Sequence, residues 1–100
     1  MRYTVRFLPD AEREFLRLPR RLQRQFKDLL PYLEAGPYRA YPFLPVKEAR
    51  RVPGLWRFPL GPYRVFYRVQ GDTVWIGKLW FRPASYDRTH IRQLRRALRR

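Results

Sequence analysis

Three arginines and one tyrosine lie among closely spaced aromatic residues between positions 56 and 86. They are Arg57, Arg64, Arg82 and Tyr86. A guanidinium group binds phosphate through two parallel hydrogen bonds, and aromatic rings stack on unpaired bases. The ribose 2′-hydroxyl of RNA can attack its own phosphate when a protein orients that attack and stabilises the negative charge that develops. The set therefore suits binding a phosphodiester, and it also suits cutting RNA without a metal ion.

The residue types that other catalytic sites need are scarce in this chain. Cysteine is absent, His90 is the only histidine, and Ser85 is the only serine. The 8 carboxylates show no metal-ligand spacing beside His90, and neither common glycine-rich phosphate loop is present. We therefore expect no metal and no cofactor, and we keep His90 only as a subsidiary candidate acid or base.

The charge is extreme for a chain of this length. The 100 residues allow one domain, 1–100, and carry a net charge of +15, with 23 basic residues of which all but three are arginines. Such a charge predicts a polyanionic partner whose binding weakens with salt, although a genome that favours arginine would give the same composition. No apolar run forms a signal peptide or reaches membrane-spanning length, so we expect a cytoplasmic protein without a membrane partner.

The elements that would position these residues begin with a strand and a helical hairpin. Residues 2–8 alternate between apolar and polar types, which predicts a half-buried strand, and Asp10 is the expected N-cap of the first helix. Apolar residues then recur at helical spacing in two segments separated by Pro19. In the first segment they are Ala11, Phe15 and Leu18, and in the second they are Leu22, Phe26, Leu29, Leu30 and Leu33. Pro31 predicts a kink or an early break near Leu30.

The proline-rich stretch 37–53 shows no periodicity and predicts an ordered loop. We expect its aromatic residues, Tyr38, Tyr41 and Phe43, to lie over the core. Basic residues gather near its end, namely Lys47, Arg50 and Arg51. They either contact a nucleic acid or form an exposed basic loop, and the sequence alone favours neither reading.

The next three apolar runs predict an antiparallel meander with strands over 55–60, 63–69 and 73–81. If Gly61 and Pro62 form the first turn, Leu60 faces Tyr63. One face then carries Trp56, Phe58, Leu60, Tyr63, Val65 and Tyr67. The other, which we call the arginine face, carries Arg57, Pro59, Arg64, Phe66 and Arg68. The helical hairpin needs an apolar surface to cover, so the arginine face is expected to stay open to solvent or to a ligand.

The last strand of the meander is out of phase, because Leu79 falls with the arginines while Lys78 falls on the apolar side. A bulge near Gly77 would repair that phase. After Tyr86, residues 87–100 read as a basic amphipathic helix. The chain is therefore expected to be α+β in the order β-α-α-β-β-β(-α), with a helical hairpin packed on one face of an antiparallel-rich four-stranded sheet.

This order of elements resembles the RelE/ParE superfamily of bacterial toxins over nearly the whole chain. The resemblance rests on Gly-Leu-Trp-Arg at 54–57, Gly-Pro-Tyr-Arg-Val-Phe-Tyr at 61–67 and Arg-Pro-Ala-Ser-Tyr at 82–86. It implies a toxin of a type II toxin–antitoxin system, and in the RelE branch it implies ribosome-dependent cleavage of mRNA. The implied partners are a cognate antitoxin, the ribosome and mRNA. Pro59 departs from the pattern, since a second basic strand residue often stands there.

The resemblance implies four catalytic residues. Arg64 and Arg57 would hold the scissile phosphate, Arg82 would stabilise the transition state, and Tyr86 would orient the base or assist proton transfer. Further RNA contacts are expected from Lys47, Arg50, Arg51, Arg68 and Arg88. For each residue there is a plainer alternative: the sheet arginines could form a solvated face, and Tyr86 could cap the fold. Trp56, Tyr63 and Tyr67 are expected to be structural.

Two other functions stay open at this point. A ParE-like protein of the same fold would inhibit DNA gyrase by binding it, without catalysis. A third possibility is an RNA-binding protein that has lost cleavage. The retained Arg64, Arg82 and Tyr86 favour the endoribonuclease over the gyrase inhibitor, whereas the sequence does not exclude the RNA-binding protein.

Overall fold

Residues 2–81, which the computed structural model describes, form two helices packed on one face of a five-stranded sheet. The elements are β1 (Thr4–Phe7), α1 (Pro9–Leu16), α2 (Arg20–Ala35), β2 (Lys47–Glu48), β3 (Trp56–Leu60), β4 (Tyr63–Gln70) and β5 (Thr73–Phe81). The strand order is β1-β5-β4-β3-β2, with β1 parallel to β5 and the other pairs antiparallel. The expected α+β fold is confirmed, with one strand more than the four expected.

The helices cover the apolar face of the sheet, as the periodicity predicts. Ala11 and Phe15 of α1 are buried, and so are four apolar residues of α2 that recur at helical spacing: Leu22, Phe26, Leu29 and Leu33. They pack on alternate residues of the central strands, including Phe58, Val65 and Ile76. Removing this apolar area from water is the main stabilising term for so small a domain.

The start of α1 differs from the expectation. The helix begins at Pro9, with Leu8 in the N-cap position, so Asp10 lies inside the first turn and its carboxylate pairs with Arg13. Proline suits the first helical position because its φ angle is already helical and its missing N–H has no partner there in any case. The expectation that Asp10 caps the helix is therefore wrong.

At Pro31 a kink or an early break was expected, and the early break is wrong, because α2 continues through Pro31 to Ala35. Pro31 lies on the exposed side of the helix, whereas Leu29 and Leu33 on either side of it are buried. Burial of those leucines offsets the hydrogen bond that the proline cannot donate. The helix ends at Ala35, and Gly36 is its C-cap, with an N–H that donates to the carbonyl of Tyr32.

The stretch between α2 and β3 contains a two-residue strand, β2, which pairs antiparallel with the start of β3. A pair of two residues has no periodicity, so the sequence offered no signal for it. Tyr41 packs half-buried against the core, but Tyr38 and Phe43 are 51% and 53% exposed, so the expectation that all three cover the core is wrong for these two. The start of this stretch is hydrogen-bonded to β4, because the buried hydroxyl of Tyr67 donates to the carbonyl of Pro37.

The β3–β4 hairpin has the predicted register, with Leu60 opposite Tyr63 across the turn. Gly61 in that turn has a φ angle of 59°, a conformation that residues with a Cβ rarely adopt. A Cβ added there would also lie 2.9 Å from a side-chain carbon of the buried Leu22. The turn thus requires glycine for its backbone and for its contact with α2.

The predicted bulge is present at Gly77. Tyr67 pairs with Ile76 and Phe66 pairs with Lys78, so Gly77 is the extra residue of β5. Beyond it the alternation is reversed, which places Leu79 with Val65 on the apolar face and Lys78 with Phe66 on the arginine face. The same shift puts Trp80 opposite Arg64.

The outer edge of the sheet beside β3 is only partly covered. Within the described residues, β2 pairs with Trp56 and Arg57 and leaves Phe58–Leu60 without a strand on that side. Leu60 and Tyr63 flank a two-residue turn, so hydrogen-bonded and non-hydrogen-bonded pairs alternate from there, and the nitrogen of Pro59 faces outward. An outward-facing proline costs the sheet no ladder hydrogen bond.

Candidate nucleic-acid interface

A row of side chains crosses four strands on the arginine face. The pairings Lys47–Arg57, Arg57–Phe66 and Phe66–Lys78 place these residues side by side, in that order. Directly opposed residues have Cβ atoms about 5 Å apart. Three cations and one aromatic ring therefore form a continuous line across the sheet.

Arg64 lies one step along the strands from this row. It is opposite Pro59 on one side and Trp80 on the other. Diagonal neighbours in an antiparallel sheet are about 7–8 Å apart, so Arg57 and Lys78 flank Arg64 from either side. Long cationic side chains at these positions can converge on one anionic group.

The arginine face is not bare, contrary to expectation. The segment 49–55 folds back onto it, and Val52 and Leu55 bury the ring of Phe66. Leu8, Ala49 and Trp80 pack around the edge of this second apolar cluster. The ring of Trp80 meets that of Phe66 at a centroid distance of 6.3 Å and an angle of 73°. The expectation of an open arginine face is therefore wrong. The alternation along the strands indicates which residues share a face, but it does not indicate that segment 49–55 packs on that face.

Segment 49–55 is held by hydrogen bonds at its base. The N–H of Gly54 donates to a carboxylate oxygen of Glu48 at 2.9 Å, and the N–H of Ala49 donates to the carbonyl of Leu55 at 2.8 Å. Gly54 itself has a φ angle of 83°, which favours glycine. Arg50 and Arg51 are exposed within this segment, beside the covered part of the arginine face.

Arg64 is the one charged residue classed as buried in the part of the chain that the structure describes, with 8% of its surface exposed. Arginine stays protonated even in such surroundings, and a charge shielded from water attracts an anion more strongly than a solvated one. The alternative in which the sheet arginines form a solvated face is therefore wrong for Arg64. Arg57 is half-buried, and Lys47 is exposed.

Arg68 lies farther along β4, opposite Trp75, which in turn neighbours Arg6 of β1. It is half-buried, and its Nε atom is buried without a hydrogen-bond partner among the described residues. Arg68 is thus on the same face as Arg57 and Arg64, at the end of the sheet away from the Gly61 turn.

Lys78 also lies on the arginine face, although simple alternation along β5 without a bulge would place it on the apolar face. Its ammonium lies 2.9 Å from a carboxylate oxygen of Glu14 and 5.3 Å from the ring centre of Trp80. The signal that finds it is the bulge, since one extra residue at Gly77 brings Lys78 and Trp80 into phase with Arg64 and Phe66.

Arg82, Tyr86, Arg88 and His90 lie outside the described residues, as does the expected helix over 87–100. Within residues 2–81, no group of three or more histidine, cysteine, aspartate or glutamate side chains is placed to hold a metal ion. Neither α1 nor α2 is long and apolar enough to cross a membrane.

Tyr67, Tyr63 and Trp56 pack in or against the main core, as expected. Tyr67 is fully buried, and burial, helped by nearby Tyr38, raises the pKa of its hydroxyl well above the ordinary value. Tyr63 and Trp56 are half-buried against the main core. A phenol whose pKa is raised is a poor proton acceptor near neutral pH, so Tyr67 is not a candidate base.

Solved structures of toxins resemble this fold closely. The toxin–antitoxin complex RelBE2 from Mycobacterium tuberculosis is 30% identical with a TM-score of 0.67, covering 82% of this chain and 100% of that chain. The archaeal RelE–RelB complex from Pyrococcus horikoshii OT3 is 28% identical with a TM-score of 0.70, covering 82% and 97%. The E. coli toxin RelE in the free state, in a double-mutant form, shares the fold with 22% identity, a TM-score of 0.68, and coverage of 85% and 88%.

A comparison with curated protein sequences found no match. The family described as the ParE toxin of the type II toxin–antitoxin system, parDE, matches residues 3–82, which is most of the chain and nearly all of the part that the structure describes. This match agrees with the likeness of fold and with the motifs at Arg57 and Arg64. The chain therefore belongs to the ParE toxin family, within the RelE/ParE superfamily of toxins from type II toxin–antitoxin systems.

Proposed function

We propose that the protein is a ribosome-dependent endoribonuclease that cuts mRNA in the cytoplasm. The observation that carries the proposal is the grouping of Arg57, Arg64 and Lys78 on one face of the sheet, with Arg64 shielded from water. Cations held in a dry, rigid site stabilise a developing negative charge without reorganising during the reaction. That is the requirement for an attack of the 2′-hydroxyl on the adjacent phosphate.

In this proposal Arg64 and Arg57 hold the scissile phosphate, and Arg82 stabilises the charge of the transition state. Tyr86 orients the base or helps to move a proton. The 2′-hydroxyl gives up its proton as its oxygen bonds to phosphorus, the bond from phosphorus to the 5′-oxygen breaks, and the leaving oxygen takes up a proton, which leaves a 2′,3′-cyclic phosphate and a 5′-hydroxyl. Lys47, Arg50, Arg51, Arg68 and Arg88 contact the neighbouring RNA backbone.

We also propose that a cognate antitoxin neutralises the protein. The two most similar structures reported above are a toxin–antitoxin complex and a RelE–RelB complex, which supports this partner. The charge of +15 favours an antitoxin whose binding segment is acidic.

The deciding experiment adds the purified chain to translating ribosomes and maps the 5′ ends of the mRNA. We expect new ends within codons, and we expect Arg64→Lys to lose most of them, since lysine keeps the charge but not the bidentate contact. Arg20→Lys is the matched control, because Arg20 is exposed on α2, which packs on the other face of the sheet. Intact mRNA with the unsubstituted chain would overturn the proposal.

One alternative is favoured by the family match itself, which names ParE. A ParE-like protein would inhibit DNA gyrase without catalysis. Supercoiling by gyrase, measured with the same protein preparation, separates the two functions. Inhibited supercoiling with intact mRNA would support the alternative, and RNA binding without either effect would indicate a protein that has lost cleavage.

A further inference from the structure

Beyond the end of β1, a main-chain N–H of β5 donates its hydrogen bond to a side chain of α1 and not to a strand. β1 ends at Phe7, which pairs with Ile76, whereas β5 continues to Phe81. The N–H of Leu79 on this overhang donates instead to a carboxylate oxygen of Glu14, at 3.0 Å, from the side of α1. Glu14 thus replaces a strand carbonyl directly after the Gly77 bulge.

The second carboxylate oxygen of Glu14 holds Lys78. Its Oε2 lies 2.9 Å from Nζ, and the two side chains are only 25% and 19% exposed. Since both residues are largely shielded, this pair restricts the lysine more than an exposed surface pair would. The bidentate use of one carboxylate therefore fixes the backbone and the ammonium together.

Glu14 holds Lys78 beside the proposed phosphate site at Arg64. Its side chain starts opposite Phe66, and its ammonium lies 5.3 Å from the ring centre of Trp80, the direct neighbour of Arg64. An ammonium has three N–H donors, of which Glu14 takes one. The donors that remain can reach an anionic oxygen on the side of Trp80.

We propose that Lys78 binds a phosphate of the RNA next to the one at Arg64, and that Glu14 is its positioning residue. The choice of RNA as the ligand rests on the proposed function. Ordering a free lysine costs conformational entropy each time a ligand binds. Glu14 removes that cost in advance, while the bulge supplies the strand geometry that brings both groups to the sheet edge.

The test measures binding of a labelled single-stranded oligoribonucleotide by fluorescence anisotropy at several salt concentrations. Each phosphate contact contributes about 0.7 to the slope of log affinity against log salt. We expect Lys78→Met to lower the magnitude of that slope by about 0.7. When the salt rises from ~50 to ~200 mM, the factor by which affinity falls should therefore be about 2.6 times smaller for the Lys78→Met variant than for the unsubstituted chain. Lys27→Met is the matched control, because Lys27 is exposed on α2, and its slope should stay unchanged.

The positioning role is tested with Glu14→Gln, whose amide oxygen can still accept from Leu79. If Glu14 orients Lys78, the fold-loss of RNA affinity caused by Lys78→Met is smaller in the Glu14→Gln background than in the unsubstituted chain. Equal losses in both backgrounds would make Glu14 a purely structural tie and overturn its assigned role.

An unchanged slope for Lys78→Met would overturn the phosphate contact. Lys78→Gln serves as a second neutral variant if the methionine variant does not fold, and Lys78→Arg should retain the slope. The outcome is independent of catalysis. A lowered slope in a protein that leaves mRNA intact would uphold the role of Lys78 and reject the proposed endoribonuclease.

Discussion

Lys47 and Arg57 lie directly opposite each other across the β2–β3 pair, two cations in neighbouring positions on the arginine face. Like charges opposed across a sheet destabilise it, and opposite charges there contribute about 0.2–1 kcal/mol. We therefore expect Lys47→Glu to raise the free energy of unfolding by about that amount at low salt, while weakening binding to RNA. Urea denaturation and RNA-binding measurements on the same samples check both effects.

Lys47→Arg provides the control, since it keeps the charge and should leave stability unchanged. The gain for Lys47→Glu should shrink at ~1 M salt, where the screening length falls to ~3 Å. A less stable Lys47→Glu chain would mean that this position is not strained by charge. In that case the row of cations would not lower the free energy of unfolding of the unbound protein.

Tyr67 makes a prediction about alkaline pH. Its folded-state pKa is raised by burial above the unfolded value of ~10, so the neutral form favours the folded state. That contribution is fully present below pH ~10 and is lost as the pH rises through the folded pKa, because the unfolded chain ionises first. We expect Tyr67→Phe to cost about 0.5–1.5 kcal/mol near neutral pH through loss of the hydrogen bond to Pro37.

Comparing the unsubstituted chain with the Tyr67→Phe variant separates the effect of Tyr67 from that of the other groups that titrate at high pH. Unfolding free energies are measured for both in urea at about pH 8 and above pH ~10. The difference between them should narrow at the higher pH. A difference that stayed constant would contradict a raised pKa for Tyr67.

Gly61 and Gly71 provide a matched pair for the turns. Both have φ angles close to 60°, but a Cβ at Gly61 meets Leu22 at 2.9 Å, whereas a Cβ at Gly71 meets nothing within 4 Å. We expect Gly71→Ala to cost about 1–2 kcal/mol from backbone strain alone. Gly61→Ala should cost about 1 kcal/mol more, because Leu22 is buried and has little room to move. Equal costs by thermal or urea unfolding would show that Leu22 yields freely.

Gly77 supports a sharper test of the bulge. Deleting it would leave Tyr67 opposite Ile76 and Phe66 opposite Lys78 in an unbroken ladder, with Lys78 still on the arginine face and Leu79 on the apolar face. Because no charged side chain is turned toward the core, the variant should keep a cooperative unfolding transition in urea. As a control, one glycine inserted in the Gly71–Asp72 turn changes the length without changing the alternation and should leave the chain folded. Loss of the cooperative transition in the deletion variant would show that the fold requires the bulge itself and not only the placement of Lys78 and Leu79 on their faces.

Much of this fold could be predicted because local patterns agreed with the global arrangement. The turn at Gly61 fixed Leu60 opposite Tyr63, and the period of two then assigned both faces of β3 and β4. The misplaced Lys78 and Leu79 were enough to locate the bulge at Gly77. Helical spacing likewise identified the buried stripe from Leu22 to Leu33.

What could not be predicted depends on contacts distant in sequence. Strand β2 is too short to have a period, and the packing of Val52 and Leu55 on Phe66 joins a loop to a strand without any pattern in common. The burial of Arg64 was missed as well, because the alternation of β4 assigns Arg64 to a face but does not indicate what covers that face. The pairing of Glu14 with Lys78 was also beyond prediction, because nothing local in the sequence relates these two residues.

Pro59 has a consequence for the protein in the absence of any partner. A long uncovered strand edge is a template on which other chains can add their own strands and form fibres. Among residues 2–81, the uncovered edge is three residues long, and its central member cannot donate a main-chain hydrogen bond. A substitution that restored the donor, such as Pro59→Val, would therefore be expected to promote self-association at concentrations where the natural chain remains monodisperse.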